Sequence, residues 1–239
     1  MRKITCVLFF ASVLSLNGYS YADVITDRVV LDGFLGSSAV TEDFEAYGVS
    51  SNMAIGFLGV DVLDSTTVLS KPGAPAGGPG LIVPGLQISG LFNLSWAGPN
   101  IWGLSSKAIL GSDDPAGPSL YLDFSYPTTA FGLDMAILKN VGPGDWTDSV
   151  TMNVYGADDA SLIYTSSLIG LENENTPYFW GYSDVAGIGK VQILSTEQSW
   201  SPLIDNVTFG ATAVPEPIST TLFILGGATL AARRARRRK

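Results

Sequence analysis

The chain has 239 residues, 46% of them hydrophobic, a formal net charge of −9, no histidine and one cysteine. That composition excludes a Ser-His-Asp triad, a histidine or multi-cysteine zinc centre and an internal disulfide. Eight of the thirteen basic residues lie at the two ends; between Asp23 and Ala213 five basic residues stand against twenty-one acidic ones, a net charge of −16 that repels nucleic acid and anionic membrane.

At the start, Met1-Arg2-Lys3 is a basic stretch, Ile4 to Leu16 is apolar, and Ser20-Tyr21-Ala22 offers small residues at the two positions that signal peptidase reads. Residues 1–22 therefore read as a signal peptide cut between Ala22 and Asp23, and Cys6 leaves with it. Residues 23–213, the body of the chain, have a length suited to one domain.

This body has the texture of an all-β domain, with short apolar or alternating runs separated by Gly, Pro, Asn, Asp and Ser. Predicted strands are Ala54 to Val62, Leu86 to Leu94, Leu120 to Tyr126, Phe131 to Ile137, Val150 to Val154, Leu162 to Tyr164, Tyr178 to Tyr182, Lys190 to Leu194 and Leu203 to Phe209. One-faced strands need a second sheet to cover them, which predicts a β-sandwich, and the long connections suit a jelly roll. Lys71 to Gly80 reads as a loop, and the pairs Asp113-Asp114 and Asp158-Asp159 as solvated turns.

Two features of the body carry candidate chemistry. If Leu203, Val207 and Phe209 face the core, alternation puts Asp205 on the same side, where a carboxylate must be paired, bind a metal or accept backbone hydrogen bonds at a sheet edge. In Tyr178-Phe179-Trp180-Gly181-Tyr182, alternation sets Tyr178, Trp180 and Tyr182 on one face and Phe179 on the other. Such a strip either stacks on sugar rings or completes a core. The acidic surface is either simply solvated or takes divalent cations. No nucleophile elbow and no phosphate-cradling loop occurs, so the body is expected to be non-catalytic.

The tail, 214–239, has three parts: Val214-Pro215-Glu216-Pro217, an uncharged run from Ile218 to Ala232, and Arg233, Arg234, Arg236, Arg237, Arg238 and Lys239 around one alanine. As a helix, Ile218 to Ala232 would rise about 22 Å. This is short of a hydrocarbon core of roughly 30 Å, and arginines that keep their heads in the headgroup layer can make up the difference. The basic cluster keeps the C-terminus cytoplasmic and leaves the body on the far side.

These three parts, in this order, resemble the PEP-CTERM sorting signal of Gram-negative bacteria rather than an ordinary membrane anchor. The resemblance implies recognition by exosortase, an integral membrane cysteine protease and transpeptidase, in an exopolysaccharide-producing cell. Asp43-Phe44-Glu45, Ala130 to Asp134, Thr176 to Gly181 and Ile204 to Gly210 resemble bodies found beside such tails, and are also similar to carbohydrate-binding jelly rolls. In those jelly rolls a closing-strand Asp and an opening Glu help hold a structural calcium, which would map to Asp205 and Glu45. Glu45 has the opposite parity to Phe44, so the two face one way only if the strand begins or bulges there. The expectation is an exported cell-surface or extracellular protein, transiently anchored, whose body binds exopolysaccharide. A purely structural matrix protein and a glycan hydrolase with paired carboxylates are the alternatives.

Overall fold

The computed structural model of the chain describes residues 22–46, 55–69, 78–91, 93–99, 106–111, 119–136, 148–167, 169–171, 177–195 and 203–211. The expected signal peptide up to residue 21, the expected sorting tail from Val214, the pair Asp113-Asp114, Trp102, Trp146, Trp200 and most of the Lys71 to Gly80 loop lie outside the described residues.

Among the described residues, thirteen strands join in antiparallel pairs into one sheet. They are β1 (Asp23–Ile25), β2 (Val40–Glu42), β3 (Ile55–Phe57), β4 (Val62–Leu63), β5 (Leu86–Gly90), β6 (Leu94–Ala97), β7 (Ala108–Gly111), β8 (Ser119–Ala136), β9 (Asp148–Gly156), β10 (Leu162–Thr165), β11 (Ile169–Leu171), β12 (Tyr178–Ser195) and β13 (Leu203–Gly210). One helix, α1 (Arg28–Leu35), accompanies them. The all-β class predicted from alternation is what the chain adopts.

The long strands β8 and β12 each unite two of the predicted strands. Seven residues of straight strand would span about 23 Å, yet the rings of Phe124 and Phe131 in β8 lie 5.7 Å apart. The strand therefore bends between them. Pro127, which has no N–H for a ladder, and Gly187, at φ 102°, lie in the bends of β8 and β12.

Each bend divides its strand between two wings. In one wing the order is β5-β8-β12-β9-β10; in the other, β12-β8-β13 continues to β7, β6 and β3, with β1 added to β12 and β2 to β13. The wings close over a shared core. Leu120, Leu122, Val191, Ile193, Met152 and Val154 come from the first, and Phe131, Leu133, Met135, Trp180, Ile204 and Phe209 from the second.

The outward side of the second wing is covered by α1. Asp27 caps the helix by accepting the Val29 N–H at 2.7 Å, and Gly36, at φ 53°, ends it. Leu31 and Leu35 then pack with Ile25 and Ala130, with Phe34 and Phe179 alongside. Gly132 permits this approach, since a Cβ there would lie 2.6 Å from the Phe179 ring and 2.8 Å from Leu31 Cδ2.

Candidate functional site

The expected alternation along β13 fails at one residue. Ile204 stands opposite Met135 and Phe209 opposite Phe131, but the register slips between Asp205 and Thr208, and Asn206 takes φ 48°. This bulge switches parity. Ile204 faces the core before it and Val207 and Phe209 after it, so Asp205 does not share the face of Val207 and Phe209 but points to the other side. It is nonetheless fully buried.

There Asp205 stands directly across from Asp134 of β8. Like charges in that position repel, and the neighbouring residues answer both. Arg28, at the start of α1, reaches Asp134 at 2.9 Å, donates to Thr208 Oγ1 at 3.0 Å and to the Asn206 carbonyl at 3.2 Å, and lies 4.8 Å over the Phe179 ring. The Asn206 amide donates to Asp134 at 3.0 Å and to Asp205 at 3.1 Å, its backbone N–H donates to Asp205 at 2.7 Å, and Ser106 Oγ donates to the same carboxylate. Burial pushes the Asp205 carboxyl up to about 7, against the hydrogen bonds from Ser106 and Asn206 and with the charges of Asp134 and Glu45.

Glu45 is brought into the same neighbourhood by the residue after Ser106. Lys107 donates its backbone N–H to Glu45 Oε1 at 2.9 Å and its ammonium to the Glu45 carbonyl at 2.8 Å, and the ammonium pairs with Oε2 at 3.3 Å. The parity conflict between Phe44 and Glu45 dissolves because β2 ends at Glu42 and Phe44 takes φ 54°, turning the chain. The donors observed around both carboxylates are N–H, O–H and ammonium groups, whereas calcium requires six to eight oxygens. As arranged, the pair does not fit the ion: Lys107 would have to leave Glu45 and Asn206 would have to turn its amide oxygen inward. Among the described residues no group of three Asp or Glu side chains is placed to hold a metal.

The opening segment does hold a buried carboxylate, at a position that alternation did not single out. Glu42 accepts the N–H of Phe44 at 2.7 Å and of Val83 at 2.8 Å. Burial raises its pKa in spite of both bonds. Ser106, Lys107, Arg28 and Asp134 were also missed as partners of Asp205 and Glu45. The available signals were Asp27 before an apolar pair and Asp134 off the core parity of Phe131 and Leu133, but cross-strand neighbours cannot be read from one strand.

The aromatic strip requires a correction. Alternation does separate Tyr178, Trp180 and Tyr182 from Phe179, but the rings of Trp180 and Tyr182 point inward. Trp180 and Tyr182 are each 2% exposed and join the core, Tyr178 is exposed at its rim, and Phe179 lies outward beneath Arg28. Tyr164 stacks on Tyr182 at 4.7 Å from the facing wing. Trp180 and Tyr182 are therefore not open to a sugar ring.

No protein-family model and no curated protein matches the chain. Among solved structures it is similar to a cleaved adhesin domain of Lys-gingipain from Porphyromonas gingivalis, at 15% identity and a TM-score of 0.33, covering 74% of this chain and 99% of that one. It is also similar to the enzymatically active domain of tailspike protein 4 of bacteriophage CBA120, at 16% identity and a TM-score of 0.29, covering 52% of this chain. A third likeness is to an isomalto-dextranase of Arthrobacter globiformis complexed with panose, at 15% identity and a TM-score of 0.30, covering 72% of this chain. The chain spans 19% of the tailspike chain and 32% of the dextranase. At TM-scores of 0.29 to 0.33 these likenesses assign neither fold nor activity.

Proposed function

We propose that the chain is an exported cell-surface or matrix protein with a non-catalytic, jelly-roll-like body that associates with exopolysaccharide, sorted by a PEP-CTERM tail and exosortase. The observation that carries the non-catalytic reading is the clasp around β13. Asp205, Asp134, Glu45 and Glu42 each accept from donors within the body, so these carboxylates hold strands and loops together. A glycosidase needs two that face the substrate. The export reading is supported by the order of parts: β1 opens at Asp23, directly after the expected cut, and β13 ends at Gly210, just ahead of Val214. Association with glycan rests on the resemblance of the body segments.

The test is retention of the full-length chain on exopolysaccharide from the cell that makes it, with reducing ends assayed in parallel. Retention without new reducing ends is expected. Accumulating reducing ends would make it a hydrolase, and passage through without retention would leave a structural matrix protein.

A further inference from the structure

The first wing has an outward side that the core does not use. Leu122, Val191 and Val154 of β8, β12 and β9 are fully buried, so alternation turns their neighbours the other way. Register aligns these neighbours in two rows of three, Tyr121-Gln192-Asn153 and Asp123-Lys190-Tyr155. All six are half-buried.

Hydrogen bonds knit the grid together. The Gln192 amide donates to Tyr121 Oη at 3.0 Å and accepts from Asn153 at 3.1 Å and from Tyr155 Oη at 3.2 Å. Lys190 neutralises Asp123 at 3.3 Å. The only α-helix among the described residues packs on the other wing, over Gly132 and Phe179.

We propose that this grid on the outward side of β8, β12 and β9 is a binding platform for an uncharged glycan chain lying across the strands. Four of its six groups, two phenols and two carboxamides, each both donate and accept, as sugar hydroxyls do. The remaining two offset each other's charge, and Asp159, whose charge also acts on Asp123, leaves the platform with no net positive charge to draw an acidic glycan. A protein partner would seek a desolvated apolar centre, which these residues do not provide. Strand spacing makes the grid about 10 Å wide, and its preset hydrogen bonds limit the side-chain ordering that binding requires.

The platform deepens the glycan-associated reading and rests on it. The experiment is affinity gel electrophoresis of the full-length chain in gels containing dextran, mixed-linkage β-glucan, galactomannan or the producing cell's own exopolysaccharide, with alginate as an acidic comparison. Retardation in at least one neutral gel and none in alginate is expected. Tyr155→Ala and Gln192→Ala should each weaken binding about tenfold or more, a loss of roughly 1.4 kcal/mol. Tyr178→Ala, on the opposite side of the sheet, should leave it unchanged. Near-UV circular dichroism checks the fold of each variant, and Tyr155→Phe, which keeps the ring and deletes only the hydroxyl, should show a partial loss. Retention that survives both alanine substitutions would remove the platform but keep the glycan reading. Preference for alginate would likewise remove the platform alone, and absence of retardation in every gel would remove both.

Discussion

Asp205 is buried opposite a second carboxylate, and its surroundings resolve the conflict in two ways. Arg28 lies against Asp134, while Asp205 is met by the Ser106 hydroxyl and the Asn206 amides. With its carboxyl raised to about 7, Asp205 binds a proton more tightly in the folded chain than in the unfolded one. Its contribution to stability is complete below the ordinary aspartate range near pH 4 and is lost as pH rises through about 7. The unfolding free energy should therefore fall from pH 4 to pH 8 by a few kcal/mol, since each tenfold gain in proton affinity is worth roughly 1.4 kcal/mol. Asp205→Asn should flatten most of that slope; what remains has the same sign and belongs to Glu42 and Asp123, which burial also raises. Asp64 and Asp158, held low chiefly by hydrogen bonds from Thr66 and Ser161, act only below pH 4 and in the opposite direction. Urea titrations at intervals of one pH unit check this, and an Asp205→Asn slope equal to that of the parent would assign the dependence elsewhere.

At the scale of elements, two glycines bracket what backbone packing allows. A Cβ on Gly181 of β12 would lie 2.5 Å from the Phe131 carbonyl oxygen, a backbone atom in the middle of the adjoining strand that cannot swing away. Gly33 of α1 is exposed, with no neighbouring atom within 4 Å of the same addition. Gly181→Ala should destabilise by about 2 kcal/mol or more through forced strand separation. Gly33→Ala should stabilise by roughly 0.5–1 kcal/mol through helix propensity alone. Thermal unfolding of the two variants side by side is the measurement, and equal shifts would refute the contrast. Strand alternation was legible at Leu120 to Tyr126, Phe131 to Ile137 and Lys190 to Leu194, because each places one apolar face on a core. Continuity of β8 and β12 through their bends was not legible, since Pro127 and the glycine-rich stretch around Gly187 read as breaks. The two turns of α1 are too short to show a helical period, although Asp27 and Gly36 mark both ends. At the site, the buried acid at Asp205 was legible from its apolar neighbours. Its facing was not, because the bulge at Asn206 depends on pairing with β8, and the same dependence on the opposite wing hid which face of Tyr178 to Tyr182 would become the core.

For the whole molecule, the position of β1 constrains the order of events that the proposed export requires. Asp23 pairs with Ser183, Val24 with Tyr182 and Ile25 with Gly181, so the first residue after the expected cut is already a rung of the sheet. A protease must bind the chain in an extended, accessible form on both sides of the bond, which a docked β1 does not offer. On the proposed reading, cleavage at Ala22-Asp23 therefore precedes docking of β1 onto β12. A cut even three residues later would strip β1 and uncover the edge of β12 beside Tyr182. The proposed loss of both ends would also change the charge, because the intact chain carries −9 and the segment from Asp23 to Ala213 carries −16. Intact mass and isoelectric focusing of protein recovered from the cell surface test this together. The expected species begins at Asp23, lacks Arg233 to Lys239 and focuses at a lower pH than the full-length chain. Released protein that still carries the arginines would count against processing of the tail, and a first residue beyond Ile25 would show that β1 is dispensable to the folded body.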